Sequence, residues 1–162
     1  CDNLGYQSTG GQYGWTTPPG VVTDSSPYGM SDPNWVQPEM DVMNVIQAAG
    51  ATFLARHVSM DGRELVDTCK KALQNNGFSL VHCVFPCITN FGKNALGSRN
   101  AVNMFNWIKN HAAPLGEQED NPEIFWRTGI YHDASNSRIE FSQSVREQTA
   151  EIQRRFQDEG SH

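Results

Sequence analysis

Two short apolar runs bracket an amphipathic stretch, and that order constrains the fold more than any other feature of the chain. Residues 51–55 (ATFLA) and 78–85 (FSLVHCVF) have the length of buried strands, and Pro86 stops the second. Between them, residues 61–75 (DGRELVDTCKKALQN) carry Leu65, Val66, Cys69, Ala72 and Leu73 at helical spacing. Asp61 stands where an N-cap belongs, Lys70 and Lys71 suit the C-terminal half, and Asn76-Gly77 ends the segment. Strand, helix and strand form a crossover unit, which joins parallel neighbours. Residues 39–49 (EMDVMNVIQAA), with Met40, Met43, Val45 and Ile46 near helical spacing, precede the unit, and residues 100–110 (NAVNMFNWIKN) read as another helix. The expectation is an α/β fold, a partial parallel sheet flanked by helices. In such sheets ligands bind beyond the carboxyl ends of the strands, and residues 1–3 and 86–90 stand at two such exits.

The flanks are less regular. Residues 5–40 hold six glycines and five of the eight prolines with no sustained periodicity. Tyr6, Tyr13, Trp15, Tyr28 and Trp35 are interleaved there, so this loop is expected to pack against something. Residues 117–121 are a polar break, and residues 124–131 read as a late strand or an extension. Residues 140–157 read as a terminal helix rich in Gln, Glu and Arg. Its sparse apolar set, Phe141, Val145, Ile152 and Phe156, predicts a helix on a surface or a partner. Phe105 and Trp107 are expected in the core. The chain thus divides into a cofactor loop and extension (1–40), an α/β core (41–110) and a C-terminal extension (111–162). A formal net charge of −6 without a basic tract argues against nucleic acid. No apolar run approaches the ~20 residues of a membrane span. The four cysteines, Cys1, Cys69, Cys83 and Cys87, fit a reduced protein better than a disulfide framework, which places the expected site of action in the cytoplasm.

The opening residues, CDNLGYQSTGGQYGWTTPPG, carry the first chemistry. Asp2 and Asn3 put hard oxygen atoms at a strand tip, as Mg²⁺ prefers. Gly5 frees the backbone to turn a carbonyl toward a cation, and Ser8, Thr9, Gly10 and Gly11 offer hydroxyls and N–H groups suited to a diphosphate. Read bare, the same residues also make an ordinary turn. Cys87, after Pro86, is either a buried thiol or a metal ligand. His82, Cys83, Cys87 and His111 would offer zinc four ligands, but adjacent strand residues point to opposite faces, and Cys83 reads as packing. His57 at a strand end is a proton relay or a residue bonded to a neighbouring loop. Arg56 is an anion contact or a surface ion pair. The patterning around His132 and Asp133 does not support a dyad.

The string DNLGYQSTGGQ, with TTP after it, resembles the segment that closes the thiamine-diphosphate motif of 2-oxoacid:ferredoxin (acceptor) oxidoreductases. Asp2, Asn3, Tyr6, Thr9, Gly10, Gly11, Gln12, Thr16, Thr17 and Pro18 match that family's pattern. The resemblance runs through ATFLAR to NGFSLVHCVFPCITNFGKN, where the family has a Pro-Cys-x-Thr segment, and covers roughly residues 1–95. It implies oxidative decarboxylation of a 2-oxoacid with thiamine diphosphate and Mg²⁺, usually with coenzyme A and with ferredoxin as electron acceptor. By position, Asn3 would bind Mg²⁺ through its side chain and Gly5 through its carbonyl. Tyr6, Ser8 and Thr9 would line the cofactor, although Ser8 departs from the Met or Asn common in the family. Cys87 would be the last of four thiolates on a [4Fe–4S] cluster.

The family's motif opens with Gly-Asp-Gly upstream, and its other cluster cysteines lie in an N-terminal stretch; neither is among these residues. The chain starts at Cys1, and its first basic residue is Arg56. It is therefore read as the C-terminal portion of a thiamine-diphosphate-binding β subunit, inactive alone and dependent on other subunits or domains. Two alternatives stand beside this: a non-redox thiamine-dependent decarboxylase component, in which Cys87 is inert, and a non-catalytic assembly module. No catalytic residue is assigned. Pyruvate, 2-oxoglutarate, an aryl pyruvate and oxalate all remain open as substrates.

Overall fold

The structure, a computed structural model, describes residues 1–29 and 40–159. Trp35 and the first residue of the expected 39–49 helix lie outside the described residues. Helix α1 (Val42–Ala48) begins after Asp41, whose side chain accepts from the Asn44 N–H. Met43 is buried on its inner face, while Val45, expected to pack, is exposed. Strand β1 (Phe53–Val58) follows, then helix α2 (Gly62–Gln74) and strand β2 (Ser79–Val84). β1 and β2 pair in parallel, from Phe53 beside Ser79 to Val58 beside Val84. The crossover unit read from the sequence is present.

Helix α3 (Phe91–Leu96), absent from the sequence reading, leads to α4 (Ala101–Asn110), where Asn100 caps the Val102 and Asn103 N–H groups. Strands β3 (Ala112–Pro114) and β4 (Trp126–Asp133) and helix α5 (Phe141–Glu159) complete the order. The sheet runs β2-β1-β4-β3, with β3 parallel to β4 and β4 antiparallel to β1. It is a mixed sheet flanked by helices rather than an all-parallel one. The helix–strand alternation that implies parallel pairing ends at β2, and β4 enters beside β1 from the opposite end.

β1 is central, and all six of its residues are buried; β2 is an outer strand, half-exposed over its first four residues. Strand alternation sends Arg56 and His82 to one face and His57 and Cys83 to the other. α2 covers the His57 face: Thr68 Oγ1 lies 2.9 Å from His57 Nε2, and Ser79 Oγ donates to the Ala72 carbonyl. Thr68 is the buried residue of α2, whereas Val66 and Leu73, expected on the packed face, are 52% and 87% exposed. Asp61 makes no side-chain cap; its carboxylate instead takes the Val58 N–H at 3.1 Å.

On the opposite face Leu4, Val58, Val84, Phe91, Met104, Ile108 and Trp126 form the core. Trp107 lies against Phe91, His111, Phe125 and Trp126 with ring centroids 4.5–6.1 Å away. Phe105, expected in the core, is 38% exposed on α4. α5 leaves Phe141, Val145, Ile152 and Phe156 exposed, so these side chains are not packed on a surface of this chain.

Candidate functional site

The first three residues are stitched to the end of β2. The Asp2 N–H donates to the Cys83 carbonyl and the Phe85 N–H to the Asp2 carbonyl, both at 2.8 Å, so Asp2 forms a parallel bridge with Val84. The chain then turns sharply. Leu4 has φ 68° and is fully buried, so a left-handed conformation costing about 1–2 kcal/mol is offset by burying a side chain worth about 1.5–3 kcal/mol. At Gly5, φ is 149°, and an added Cβ would lie 2.7 Å from the Gln12 carbonyl oxygen. Only glycine fits this corner. Buried Thr17 locks it: its hydroxyl donates to the Leu4 carbonyl and accepts the Gly14 N–H, each at 2.9 Å.

Beyond the corner the loop closes on itself. A single 3₁₀ turn, Gln7–Thr9, is bracketed by a Tyr6–Gln12 bridge. Thr9 Oγ1 sits against the Tyr6 carbonyl and Gln12 Oε1, and Ser8 is exposed. Gly11 passes so close to α3 that a Cβ there would lie 2.8 Å from Asn90 Cβ.

Gln7, a residue the sequence reading passed over, links the two positions that reading singled out. Its side chain is buried; Nε2 donates to the Asn3 carbonyl at 3.1 Å, and Oε1 accepts from Cys87 Sγ at 3.6 Å. The Asn3 side chain, half-buried, makes no hydrogen bond among the described residues. A cavity of about 430 Å³ opens beside the corner, lined by Asp2, Gly5, Tyr6, Trp15, Thr16 and Met40 among others. Gly5 and Tyr6 thus share this cavity, while Asn3, Ser8, Thr9 and Cys87 stand outside its lining. Among the described residues no three His, Cys, Asp or Glu side chains gather as a metal set. His111 is stacked on Phe125 at 5.0 Å and donates to the Trp107 carbonyl. Cys83 is buried, and burial raises its thiol pKa, as expected of a packing residue.

The sequence reading also missed a network behind the loop. Arg56 Nε donates to His82 Nδ1 at 3.0 Å, which fixes the proton of a neutral ring on Nε2, and Nε2 meets Asp2 Oδ2 at 2.9 Å. Burial alone would raise the Asp2 pKa, but bonds from His82, Thr16 and the Leu4 N–H outweigh it and hold the carboxyl below its ordinary 3.8. Arg56 is not the surface ion pair that was one expectation for it; it is 8% exposed. No sequence signal marks this network, because it depends on β1–β2 register.

A family model described as thiamine pyrophosphate enzyme, C-terminal TPP binding domain, matches residues 1–83. The chain is similar to the 2-oxoglutarate synthase subunit KorB of Methanocaldococcus jannaschii, 33% identical over 118 residues, covering 73% of this chain and 42% of that protein. Similarity to KorB of Methanothermobacter marburgensis is 35% over 113 residues, covering 68% and 37%. Pyruvate synthase subunit PorB of Thermotoga maritima is 30% identical over 87 residues, covering 54% and 27%. The chain spans at most about two fifths of the length of these relatives. Among solved structures, a 2-oxoglutarate:ferredoxin oxidoreductase from Magnetococcus marinus, with 2-oxoglutarate, coenzyme A and succinyl-CoA bound, shares the fold. Its TM-score is 0.63 at 23% identity, covering 96% of this chain and 50% of that one.

Proposed function

Since this chain belongs to the family of C-terminal TPP-binding domains of thiamine pyrophosphate enzymes, we propose that it is the cofactor-binding portion of a 2-oxoacid:ferredoxin oxidoreductase β subunit. The observation that carries this reading is the corner at Asn3–Gly5, at the carboxyl end of β2. There a half-buried carboxamide without a hydrogen-bond partner among the described residues adjoins a glycine that tolerates no Cβ. That donor set fits Mg²⁺ and a diphosphate. Asn3 would hold the metal by its side-chain oxygen and Gly5 by its carbonyl; Tyr6, Ser8 and Thr9 would contact thiamine diphosphate. The Gly5 carbonyl already accepts the Gln7 N–H at 3.0 Å, and its second lone pair remains for a cation.

Thiamine diphosphate, when bound, supplies a thiazolium that adds to the 2-oxo carbon and holds the electron pair left as CO₂ departs. The chain's own part is positional. Thr17 fixes the corner, Asp2 ties it to β2, and His82, Thr16 and the Leu4 N–H hold the Asp2 carboxylate in its charged form, with Arg56 bonded to His82 behind it. Cys87 would supply one of the four thiolates of a [4Fe–4S] cluster, with the remaining ligands from outside this chain. The names of the relatives, 2-oxoglutarate synthase and pyruvate synthase, support a 2-oxoacid substrate. Coenzyme A and ferredoxin as further partners are supported by the Magnetococcus marinus structure, a ferredoxin oxidoreductase with coenzyme A bound. Cytoplasmic location belongs to the same reading; four free cysteines support it.

In the oxidoreductase assembly containing this chain, Asn3→Ala should weaken Mg²⁺–thiamine diphosphate binding by about tenfold or more. Cys87→Ser should lower the iron content. Unchanged cofactor affinity in Asn3→Ala would leave a non-catalytic assembly module. Unchanged iron would leave a non-redox decarboxylase.

A further inference from the structure

Two arginines, Arg56 and Arg127, line one small cavity on the Arg56 side of the sheet. The cavity, about 310 Å³, is lined by Met40, Asp41, Arg56, Phe125, Arg127 and Tyr131. Among the described residues, neither Arg56 nor Arg127 takes part in an ion pair. A buried guanidinium N–H with no acceptor among the described residues, as at Arg127 Nη1, is costly, so its persistence calls for an explanation. Asp41, the one carboxylate in the lining, already accepts from Asn44 through both oxygens while capping α1.

The donors left over are specific. Arg56 uses Nε on His82 and Nη1 on the Tyr131 hydroxyl, and its Nη2 has no partner among the described residues. Arg127 gives Nη2 to the Gln118 carbonyl, whereas its Nη1 is buried with no acceptor. Tyr131 is spent on holding these groups: its ring lies 5.6 Å from the Arg56 guanidinium carbon, and its hydroxyl donates to the Arg127 carbonyl. Arg56 is thus pinned from two sides, by His82 and by Tyr131. A fixed planar fork of this kind matches a carboxylate better than a mobile ammonium would. Phe125 and Met40 supply apolar walls for a carbon chain.

We propose that this cavity is a binding site for a small organic carboxylate, held by Arg56 and Arg127. The site is separate from the Asn3–Gly5 corner and stands whether or not thiamine diphosphate binds there. Its size suits an acid of a few carbons rather than a nucleotide or a peptide.

The test is calorimetric titration of the full chain, free of thiamine diphosphate and at constant ionic strength, with 2-oxoglutarate and separately with inorganic phosphate. Saturable binding of 2-oxoglutarate, weakened about tenfold or more in Arg127→Gln, is the expected result. Phosphate should bind more weakly. In the unaltered chain, the Arg127 side-chain N–H resonances should shift on titration, a readout that does not require the variant to fold. Absence of saturable binding, equal affinity in Arg127→Gln, unmoved Arg127 resonances, or phosphate binding as tightly as the carboxylate would each overturn the assignment. Because the titration omits thiamine diphosphate, its failure leaves the cofactor reading untouched, and the failure of Asn3→Ala leaves this one untouched.

Discussion

His57, buried, and His82, half-buried, lie on neighbouring strands, face opposite sides of the sheet and each meet a carboxylate, yet they belong to different kinds of structure. His57 is served by the chain immediately after it: Asp61 at 3.4 Å and Thr68 at 2.9 Å, both reached within one loop and the first two turns of α2. His82 is served by Asp2, 80 residues away, and by Arg56 on β1. The first is a closed local knot that fastens a helix to its strand. The second fastens the loop of the candidate site to the sheet and continues, through Arg56, to a cavity with unused donors. Burial of an imidazole says little by itself; the sequence separation of its partners separates a packing histidine from one that supports a site.

Removing one partner from each set should expose that difference. Asp2→Ala should cost the most, about 3 kcal/mol in urea unfolding, because it strands His82 and the Leu4 N–H in a buried place. A loss below about 1 kcal/mol would reduce the long-range set to the level of the local one. Thr17→Val comes next at about 1–2 kcal/mol, since the Leu4 carbonyl and the Gly14 N–H both lose their buried partner. Thr68→Val, which clips the local knot, should cost about 1 kcal/mol or less and leave cofactor binding in the assembly unchanged. Altered cofactor binding in Thr68→Val would erase the division between the two faces.

A pH series sharpens the same contrast. The native Asp2 pKa lies below its ordinary 3.8, so the native state binds this proton less readily than the unfolded chain does. The stabilisation is complete above 3.8 and is lost as pH falls through the lower native value. Asp2→Asn should flatten that acid-side loss, and an unchanged slope would show the carboxylate to be uncoupled from folding. The smallest effect is expected for deletion of α5. With its apolar side chains exposed, the cut should shift the stability of the rest by less than about 0.5 kcal/mol.

Elements whose cause is local were readable in the sequence. The apolar runs around β1 and β2 and the amphipathic stretch of α2 declared themselves by period and length, and Asn100 caps α4 as its residue type favours. Errors arose where tertiary geometry chooses between local options. Asp61 stands at an N-cap position, but its carboxylate turns toward β1. Leu73 repeats at helical spacing on α2, yet the sheet meets the side centred on Thr68. The glycine-rich opening showed its corner at Gly5, but not the threonine that locks it. Arg56, His82 and Asp2 could not be joined on paper, because a one-residue slip of register would send His82 to the α2 face. Gln7 carried no signal at all: a glutamine in a loop is usually solvated, and only the folded chain sets it between Asn3 and Cys87.

The position of β2 at the margin of the sheet has a consequence for handling the protein. Asp2 pairs only with its far end, at Cys83 to Phe85. Ahead of that point, the outward amides and carbonyls of β2 meet no strand among the described residues, beside half-exposed Leu80 and Val81. Such a margin templates the addition of an extended polypeptide, and nothing in its side chains repels one: between Ser79 and Val84 there is no lysine, glutamate or proline. Concentrated solutions of the isolated chain should therefore cluster through this margin, and a lysine in place of Val81 should keep them dispersed.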